Sequence, residues 1–178
     1  QHTIRANKVI ENVLQLSRRK QAEPELLNMK AWLTSFIYDF QTNQDQSCEI
    51  AFSCNQDDLQ FRIDPSQIQQ VLTNLFQNGI RYSEQATGKR TLKVVADFNI
   101  QSEQPTLDII DQGPGIPTAQ QDKIFEPFYT SEKSGTGLGL YIARELCEAN
   151  QARLDYHPIS TGSCFRITFS HPSRIVTI

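Results

Sequence analysis

The sequence lacks long apolar runs and basic clusters, and each absence excludes a class of protein. No apolar stretch approaches the roughly 20 residues that a membrane-spanning helix needs, and no signal peptide is visible. We therefore expect a soluble chain, whatever anchors its parent protein. Seventeen basic and twenty acidic side chains leave a net charge of -3 without a basic run, so the charge pattern does not support a nucleic-acid partner.

Cysteines in metal-binding or redox spacing are also absent. The four cysteines form no CxxC pair and do not cluster with histidine, which argues against a zinc site and a redox motif. Buried, reduced thiols are expected instead. At 178 residues and 38% apolar composition, the chain suits one compact domain plus an appendage.

The appendage is predicted at residues 1–22. Six apolar residues recur there at helical spacing, which predicts an amphipathic helix without a partner of its own: Ile4, Val9, Ile10, Val13, Leu14 and Leu16. We interpret it as the second half of a helical hairpin that ends at Glu23-Pro24. Residues 23–178 would then form the main domain.

Hydrophobic periodicity predicts an α+β fold for the main domain. Helices are expected at 26–40, 64–82, 118–123 and 138–149, and strands at 47–54, 59–63, 91–98, 106–110, 152–157 and 163–170. The first two strands are expected to pair as a hairpin, as are the next two. Asp64 and Pro65 give the second helix a strong start signal.

A polar stripe runs along the helix predicted at 64–82. Gln70, Asn74, Asn78 and Arg81 follow one another at spacings of four, four and three, opposite the apolar face. An ordinary solvated face would explain the stripe, but asparagine in mid-helix is unusual. Amide oxygens suit Mg²⁺ and Arg81 suits phosphate oxygens, so the stripe is a candidate ligand site.

Asp111 follows an apolar strand and is expected at that strand's carboxyl end. Gly113 and Gly115 allow the backbone to approach a flat ligand, while Pro114 and Pro117 stiffen the loop. This pattern is typical of a pocket floor. A tight loop with a solvated aspartate is the alternative.

A second glycine segment, residues 135–140 (GTGLGL), leads into a helix. Free N–H groups at a helix start attract anions, so the segment predicts a phosphate site. The glycine spacing fits neither a dinucleotide fingerprint nor a P-loop, and the HRD and DFG stretches of eukaryotic-type protein kinases are absent.

Taken in order, residues 66–170 resemble the ATP-binding catalytic domain of bacterial sensor histidine kinases, a Bergerat fold related to gyrase, Hsp90 and MutL. The motifs are the N box at 74–82 (NLFQNGIRY), two glycine boxes at 111–116 (DQGPGI) and 135–140, and the F box at 125–128 (FEPF). Gly79 and Arg81 depart from the common Ala and Lys. The resemblance implies a two-layer α/β sandwich, with a mixed, mostly antiparallel sheet covered by about three helices.

The same resemblance implies residue roles. Asp111 would accept a hydrogen bond from the adenine amine, Tyr82 would border the base, Asn78 would hold Mg²⁺ with Asn74 as a second candidate, and Arg81 would contact phosphate. The remaining expected ATP contacts are Gly113, Gly115, Ile116, Phe125, Phe128, Lys133, Thr136, Gly137, Leu138 and Gly139. Residues 125–133 would form a short lid, although Phe125 and Phe128 also suit a hydrophobic core.

The resemblance also implies partners. Residues 1–20 look like the second helix of a dimerisation and phosphoacceptor hairpin, and His2 lacks the sequence context of a phosphoacceptor. The acceptor histidine would lie outside this chain and pass its phosphoryl group to a response regulator. The parent would be a membrane-anchored homodimer of the bacterial inner membrane, with this chain on the cytoplasmic side.

A different class of function is a conformational ATPase of the gyrase and Hsp90 type. Such an enzyme places a glutamate at position 74 to activate water, and this chain has Asn74. The kinase interpretation is therefore favoured.

Overall fold

The computed structural model describes residues 21–130 and 137–173, together with Ile4, Ala6, Asn7 and Ile10. Those four residues are helical, as predicted, and the side chains of Ile4 and Ile10 are exposed. The rest of the predicted N-terminal helix lies outside the described residues. Among the helices that the structure describes, none is long and apolar enough to cross a membrane.

Five strands form the main sheet in the order β2-β4-β5-β7-β6. β2 pairs in parallel with β4, and the other neighbours are antiparallel. The strand bounds are Glu49–Cys54 (β2), Thr91–Asn99 (β4), Gln104–Asp111 (β5), Arg153–Pro158 (β6) and Ser163–Thr168 (β7). The predicted mixed, mostly antiparallel sheet is confirmed.

Three helices cover the sheet and share one hydrophobic core with it: Met29–Thr42 (α1), Pro65–Thr87 (α2) and Gly139–Ala149 (α3). Burial alternates along β5, so one face of this strand meets the helices and the other faces outward. Phe76 of α2 joins the layers through edge contacts with Phe36 and Phe40 of α1. The two-layer α+β prediction is therefore confirmed.

Two predictions about the first half of the domain are wrong. The first helix begins at Met29 rather than residue 26, because Glu25–Asn28 forms a strand, β1, that pairs with Gln60–Ile63 (β3). The expected hairpin of the strands at 47–54 and 59–63 does not form, since β2 pairs with β4 and β3 with β1. Pairing between distant segments overrides the local pattern in both cases.

Helix α2 starts as predicted and ends later than predicted. Asp64 caps it by accepting from the N–H groups of Ser66 and Gln67, and Gly88 ends it in a left-handed conformation. The helix thus continues beyond residue 82 to Thr87. In the added turn, the buried Ser83 hydroxyl accepts a hydrogen bond from Gln112 N–H at 2.9 Å, which ties the helix to the loop after β5.

Smaller elements agree with the predictions in kind. The helix expected at 118–123 is a short 3₁₀ turn, Thr118–Gln120. The four cysteines are free thiols, and burial raises the pKa of Cys147 to about 12 and of Cys164 to about 11. Cys48 and Cys54 are only half-buried, so the expectation of buried thiols holds for two of the four.

Candidate functional site

Asp111 is the last residue of the central strand β5, and its side chain is only 2% exposed. Its Oδ1 accepts a hydrogen bond from Gly113 N–H at 2.8 Å. Burial raises the pKa of this carboxyl to about 6, against the opposing effect of backbone hydrogen bonds from Gly113 and Ser163. The alternative of a solvated aspartate is therefore excluded.

Two glycines let the backbone close around Asp111. A Cβ on Gly113 would lie 2.8 Å from Tyr82 Cβ and 2.9 Å from Asp111 Oδ1. A Cβ on Gly79, in α2, would lie 2.6 Å from Leu92 Cδ2 and 3.4 Å from Asp111 Cβ. A larger side chain at position 79 would therefore require the Leu92 side chain to shift.

A third glycine, Gly162, was missed as a site residue. Its φ is +97°, and a Cβ there would lie 1.9 Å from Asp111 O. Gly115 lies beside it, and Ile116 N–H donates to the hydroxyl of Tyr156 at 3.1 Å. The β6–β7 turn thus supports the loop after Asp111, and the turn signal at residues 160–162 gave no hint of this contact.

The predicted polar stripe on α2 exists and is hydrogen-bonded within itself. Gln70 Nε2 donates to Asn74 Oδ1 at 3.3 Å, and Arg81 Nη2 donates to Asn78 Oδ1 at 2.9 Å. The Arg81 guanidinium also lies 5.4 Å from the centre of the Tyr82 ring. Because an amide oxygen has two lone pairs, a ligand of Asn78 Oδ1 would either share this oxygen with Arg81 or displace the guanidinium.

The stripe also reaches the second glycine segment. Asn74 Nδ2 donates to Gly139 O at 3.2 Å, which joins the middle of α2 to the first residue of α3. Leu138, at the N-cap of α3, has no side chain that can cap the helix. The structure thus brings the N box and the second glycine box together.

The F box divides into two environments. Phe125 packs edge-on against Phe165 of the sheet and lies under the Arg144 guanidinium of α3, so its ring belongs to the packing between the layers. Phe128 is 62% exposed with a φ of +67°. Its N–H donates to Gly137 O at 2.9 Å, and a Cβ on Gly137 would lie 2.4 Å from Phe128 C.

The remaining predicted positions are two lid residues and two histidines. Lys133 and Thr136 lie outside the described residues. His157 lies in β6 and His171 follows β7, as expected. Within the described ranges, no three side chains of His, Cys, Asp or Glu converge as a metal cluster.

Comparison with known proteins matches this geometry to one family. Residues 63–173 match the family model of the histidine kinase-, DNA gyrase B- and HSP90-like ATPases. The chain is 49% identical to the sensor protein kinase PilS of Pseudomonas aeruginosa, covering 96% of this chain and 32% of PilS. It is 31% identical to the sensor histidine kinase WalK of Bacillus subtilis, covering 97% of this chain and 29% of WalK.

Solved structures agree with the sequence matches. The histidine kinase AdeS of Acinetobacter baumannii superimposes with a TM-score of 0.70 at 28% identity, covering 93% of this chain and 78% of that one. The catalytic domain of the histidine kinase ThkA gives 0.66 at 26% identity, covering 84% and 97%.

The amino-acid sequence of residues 142–154 by itself resembles PilS, and the similarity to PilS extends over nearly the whole chain. The chain spans about a third of the length of PilS and of WalK. It belongs to the histidine kinase-, DNA gyrase B- and HSP90-like ATPase family, as an ATPase domain of the sensor histidine kinase type.

Proposed function

We propose that this domain binds Mg-ATP between α2 and the glycine segments and donates the γ-phosphoryl group to a histidine outside the chain. That histidine would then supply a response regulator. The observation that carries the proposal is Asp111, a carboxylate buried at a central strand end within a glycine-lined cradle that joins the polar stripe of α2.

The base side fits adenine. The glycines at positions 79 and 113 let Leu92, Tyr82 and Asp111 pack closely together, which holds the carboxylate at the floor of the proposed base site. The Asp111 carboxylate accepts a hydrogen bond from an exocyclic amine, whereas the carbonyl oxygen of guanine would face it unfavourably. Tyr82 borders the base side, because its Cβ lies close to the backbone of Gly113. Gly115 and Ile116 lie in the same loop, where Ile116 N–H is held by the Tyr156 hydroxyl.

The phosphate side fits a triphosphate with Mg²⁺. Asn78 and Asn74 offer amide oxygens, which suit this hard cation, and Arg81 offers a guanidinium for phosphate oxygens. When bound, Mg²⁺ would neutralise charge that develops on the phosphates. Gly137, Leu138 and Gly139 place backbone at the start of α3, where the helix dipole favours an anion. Phe128, Lys133 and Thr136 belong to the proposed lid.

Asn74 favours phosphoryl transfer to a protein side chain over hydrolysis. Its amide nitrogen donates to Gly139 O, and an amide side chain cannot take a proton from water. The conformational-ATPase alternative would need a base at this position. Slow hydrolysis is therefore part of the proposal.

The proposal extends to the parent protein. Residues 1–22 would be the end of a dimerisation and phosphoacceptor hairpin, and the parent would be a membrane-anchored homodimer with this domain on the cytoplasmic side. Support comes from similarity to the sensor kinases PilS and WalK. ThkA has been solved in complex with the response regulator TrrA, and at 22% identity that structure supports the shared fold.

Incubation with γ-labelled ATP tests the transfer. We expect the chain alone to remain unlabelled, because His2 lacks the sequence context of a phosphoacceptor and, among the described residues, His157 lies in β6 and His171 follows β7. We expect a separately supplied phosphoacceptor hairpin of the parent kinase to acquire acid-labile label. Asp111→Asn should abolish that transfer, whereas Asp97→Asn, at an exposed position of β4, should preserve it. Stoichiometric label on this chain alone, or rapid release of phosphate, would contradict the proposal.

A further inference from the structure

A buried polar junction joins α2 and α3 at the end opposite the proposed phosphate site. Its centre is Asn150, which follows α3 and is 5% exposed. Asn150 Nδ2 donates to Gln67 Oε1 at 2.7 Å and to Leu146 O at 2.8 Å. Its Oδ1 accepts from Asp64 N–H at 2.9 Å. The Asn150 side-chain amide thus uses both of its N–H donors and its oxygen in hydrogen bonds at the junction.

The same junction holds the chain where the main domain begins. Asp64 Oδ2 accepts from Glu23 N–H at 2.9 Å, while Asp64 Oδ1 caps α2. Segments more than forty residues apart therefore meet in one hydrogen-bonded unit. The carboxylate is 8% exposed, and truncation of such a group leaves buried donors unpaired.

The contacts also show the direction of the helices. α3 begins at Gly139 beside Asn74 and ends at Asn150 beside Gln67, so it runs opposite to α2. Between these two polar contacts the helices share the apolar core, which includes Val71 and Cys147. Apolar contacts are non-directional, whereas the hydrogen bonds at the two ends join defined atoms and so specify the register of α3 along α2.

We propose that Asn150 is a positioning residue, which sets the register of α3 along α2 and thereby fixes Gly139 relative to Asn74 and Asn78. A helix transmits an axial shift along its length, and about 16 Å of α3 separates Asn150 from Gly139. A slip at the junction therefore displaces the phosphate side. The base side is held separately, by β5 and the glycines around Asp111. This inference rests on the proposed ATP site.

The test compares ATP with adenosine, since only ATP reports on the phosphate side. Asn150→Leu keeps the branched shape of the side chain and removes its three hydrogen bonds, and Gln67→Leu is a milder variant that removes the bond to Asn150. Leu33→Val is the matched control, because Leu33 is fully buried in α1 and its truncation weakens the core away from the junction. Affinities are measured by calorimetry or NMR at a temperature where circular dichroism shows every variant fully folded.

We expect Asn150→Leu to weaken Mg-ATP binding about tenfold and Gln67→Leu to weaken it less, with adenosine affinity unchanged in both. Leu33→Val should leave both ligands unaffected. Equal losses for ATP and adenosine, or no loss of ATP affinity in either junction variant, would overturn the positioning role. If the unaltered chain binds neither ligand, the proposed ATP site itself is wrong, which is a separate outcome.

Discussion

The two sides of the proposed nucleotide site are built differently. On the base side, Asp111 is buried and the backbone around it is held so closely that added Cβ atoms would lie 1.9 to 2.9 Å from their neighbours. On the phosphate side, the backbone at Gly137 also approaches Phe128 closely, but the side chains are more open: Asn74 and Asn78 are half-buried, and Arg81 and Phe128 are exposed. The base side is therefore part of the buried core, whereas the phosphate side lies at the surface of the domain.

This difference suggests that the base side determines which nucleotide binds and the phosphate side determines how tightly it binds. Folding already positions the groups that would recognise the base, so little ordering remains for binding to accomplish there. The polar groups of the phosphate side instead bond to one another, as Arg81 does to Asn78, so a ligand there competes with or adds to existing hydrogen bonds. We therefore expect changes on the base side to alter stability and nucleotide identity, and changes on the phosphate side to alter affinity and metal dependence.

The largest effect is expected from Gly162→Ala. A Cβ there would lie 1.9 Å from Asp111 O at a φ of +97°, so the β6–β7 turn must move away from the strand end. We expect a loss of about 3 kcal/mol in the free energy of unfolding, measured by urea denaturation, together with loss of ATP binding. Gly88→Ala is the control, because its φ is +75° with nothing within 4 Å, and it should cost only about 1 kcal/mol. Equal costs for the two variants would contradict the close approach.

Asp111→Asn should remove base selection. An amide replaces the charged acceptor for the adenine amine, so ATP affinity should fall about 100-fold and the preference over GTP should shrink. Competition binding with the two nucleotides measures both quantities. If ATP affinity and its preference over GTP stay as in the unaltered chain, Asp111 does not read the base.

Asn78→Ala should weaken Mg-ATP binding about 30-fold and metal-free ATP binding much less, because the lost oxygen is the proposed metal ligand. Titrations with and without Mg²⁺ separate the two effects. Gln77→Ala, an exposed neighbour on α2, serves as the control. An equal loss under both conditions would assign Asn78 to the phosphates or to helix structure.

The pH dependence of ATP affinity should be the mildest effect. Burial raises the pKa of Asp111 to about 6, and the ionised carboxylate is a stronger acceptor for the adenine amine than the protonated carboxyl. As pH falls from 7 to 5 the carboxyl gains a proton, so ATP affinity should fall by up to about tenfold. Titration of the ATP phosphates also contributes, but it affects the unaltered chain and Asp111→Asn equally. It therefore cancels in the ratio of the ATP affinity of the unaltered chain to that of Asp111→Asn. A ratio that does not change with pH would contradict ionisation of Asp111 in this range.

Junction stability provides a second pH test, at a carboxylate whose pKa is shifted in the opposite direction. Burial raises the pKa of Asp64, but hydrogen bonds from Glu23, Ser66 and Gln67 outweigh it, and the net pKa is lowered. Its contribution to stability is therefore present above the ordinary aspartate pKa of about 3.8 and is lost as pH falls below that value. The decline in stability of the unaltered chain below pH 4 should be smaller in Asp64→Asn.

Local sequence signals predicted much of the base side. The apolar run before Asp111 placed that residue at a strand end, and the cap at Asp64 placed the start of α2. Both signals depend on neighbours in the sequence, where periodicity and capping chemistry act. The family resemblance implied metal or phosphate contacts in both the N box and the second glycine box, and the structure joins these two segments through the Asn74 contact with Gly139.

What sequence reasoning missed depends on contacts between distant segments. Residues 25–28 have the spacing of a helix, yet pairing with β3 makes them a strand. The role of Gly162 becomes visible only when β7 lies beside β5 and brings the turn against Asp111 O. Ser83 gives no local signal either, because its partner Gln112 lies 29 residues away.

Calorimetric titration of the chain with Mg-ATP and, separately, with Mg-GTP tests the central claim most directly. A buried carboxylate within a glycine cradle on the base side should give one-to-one binding of ATP and a much weaker response to GTP. Absence of ATP binding, or equal affinity for the two nucleotides, would contradict it.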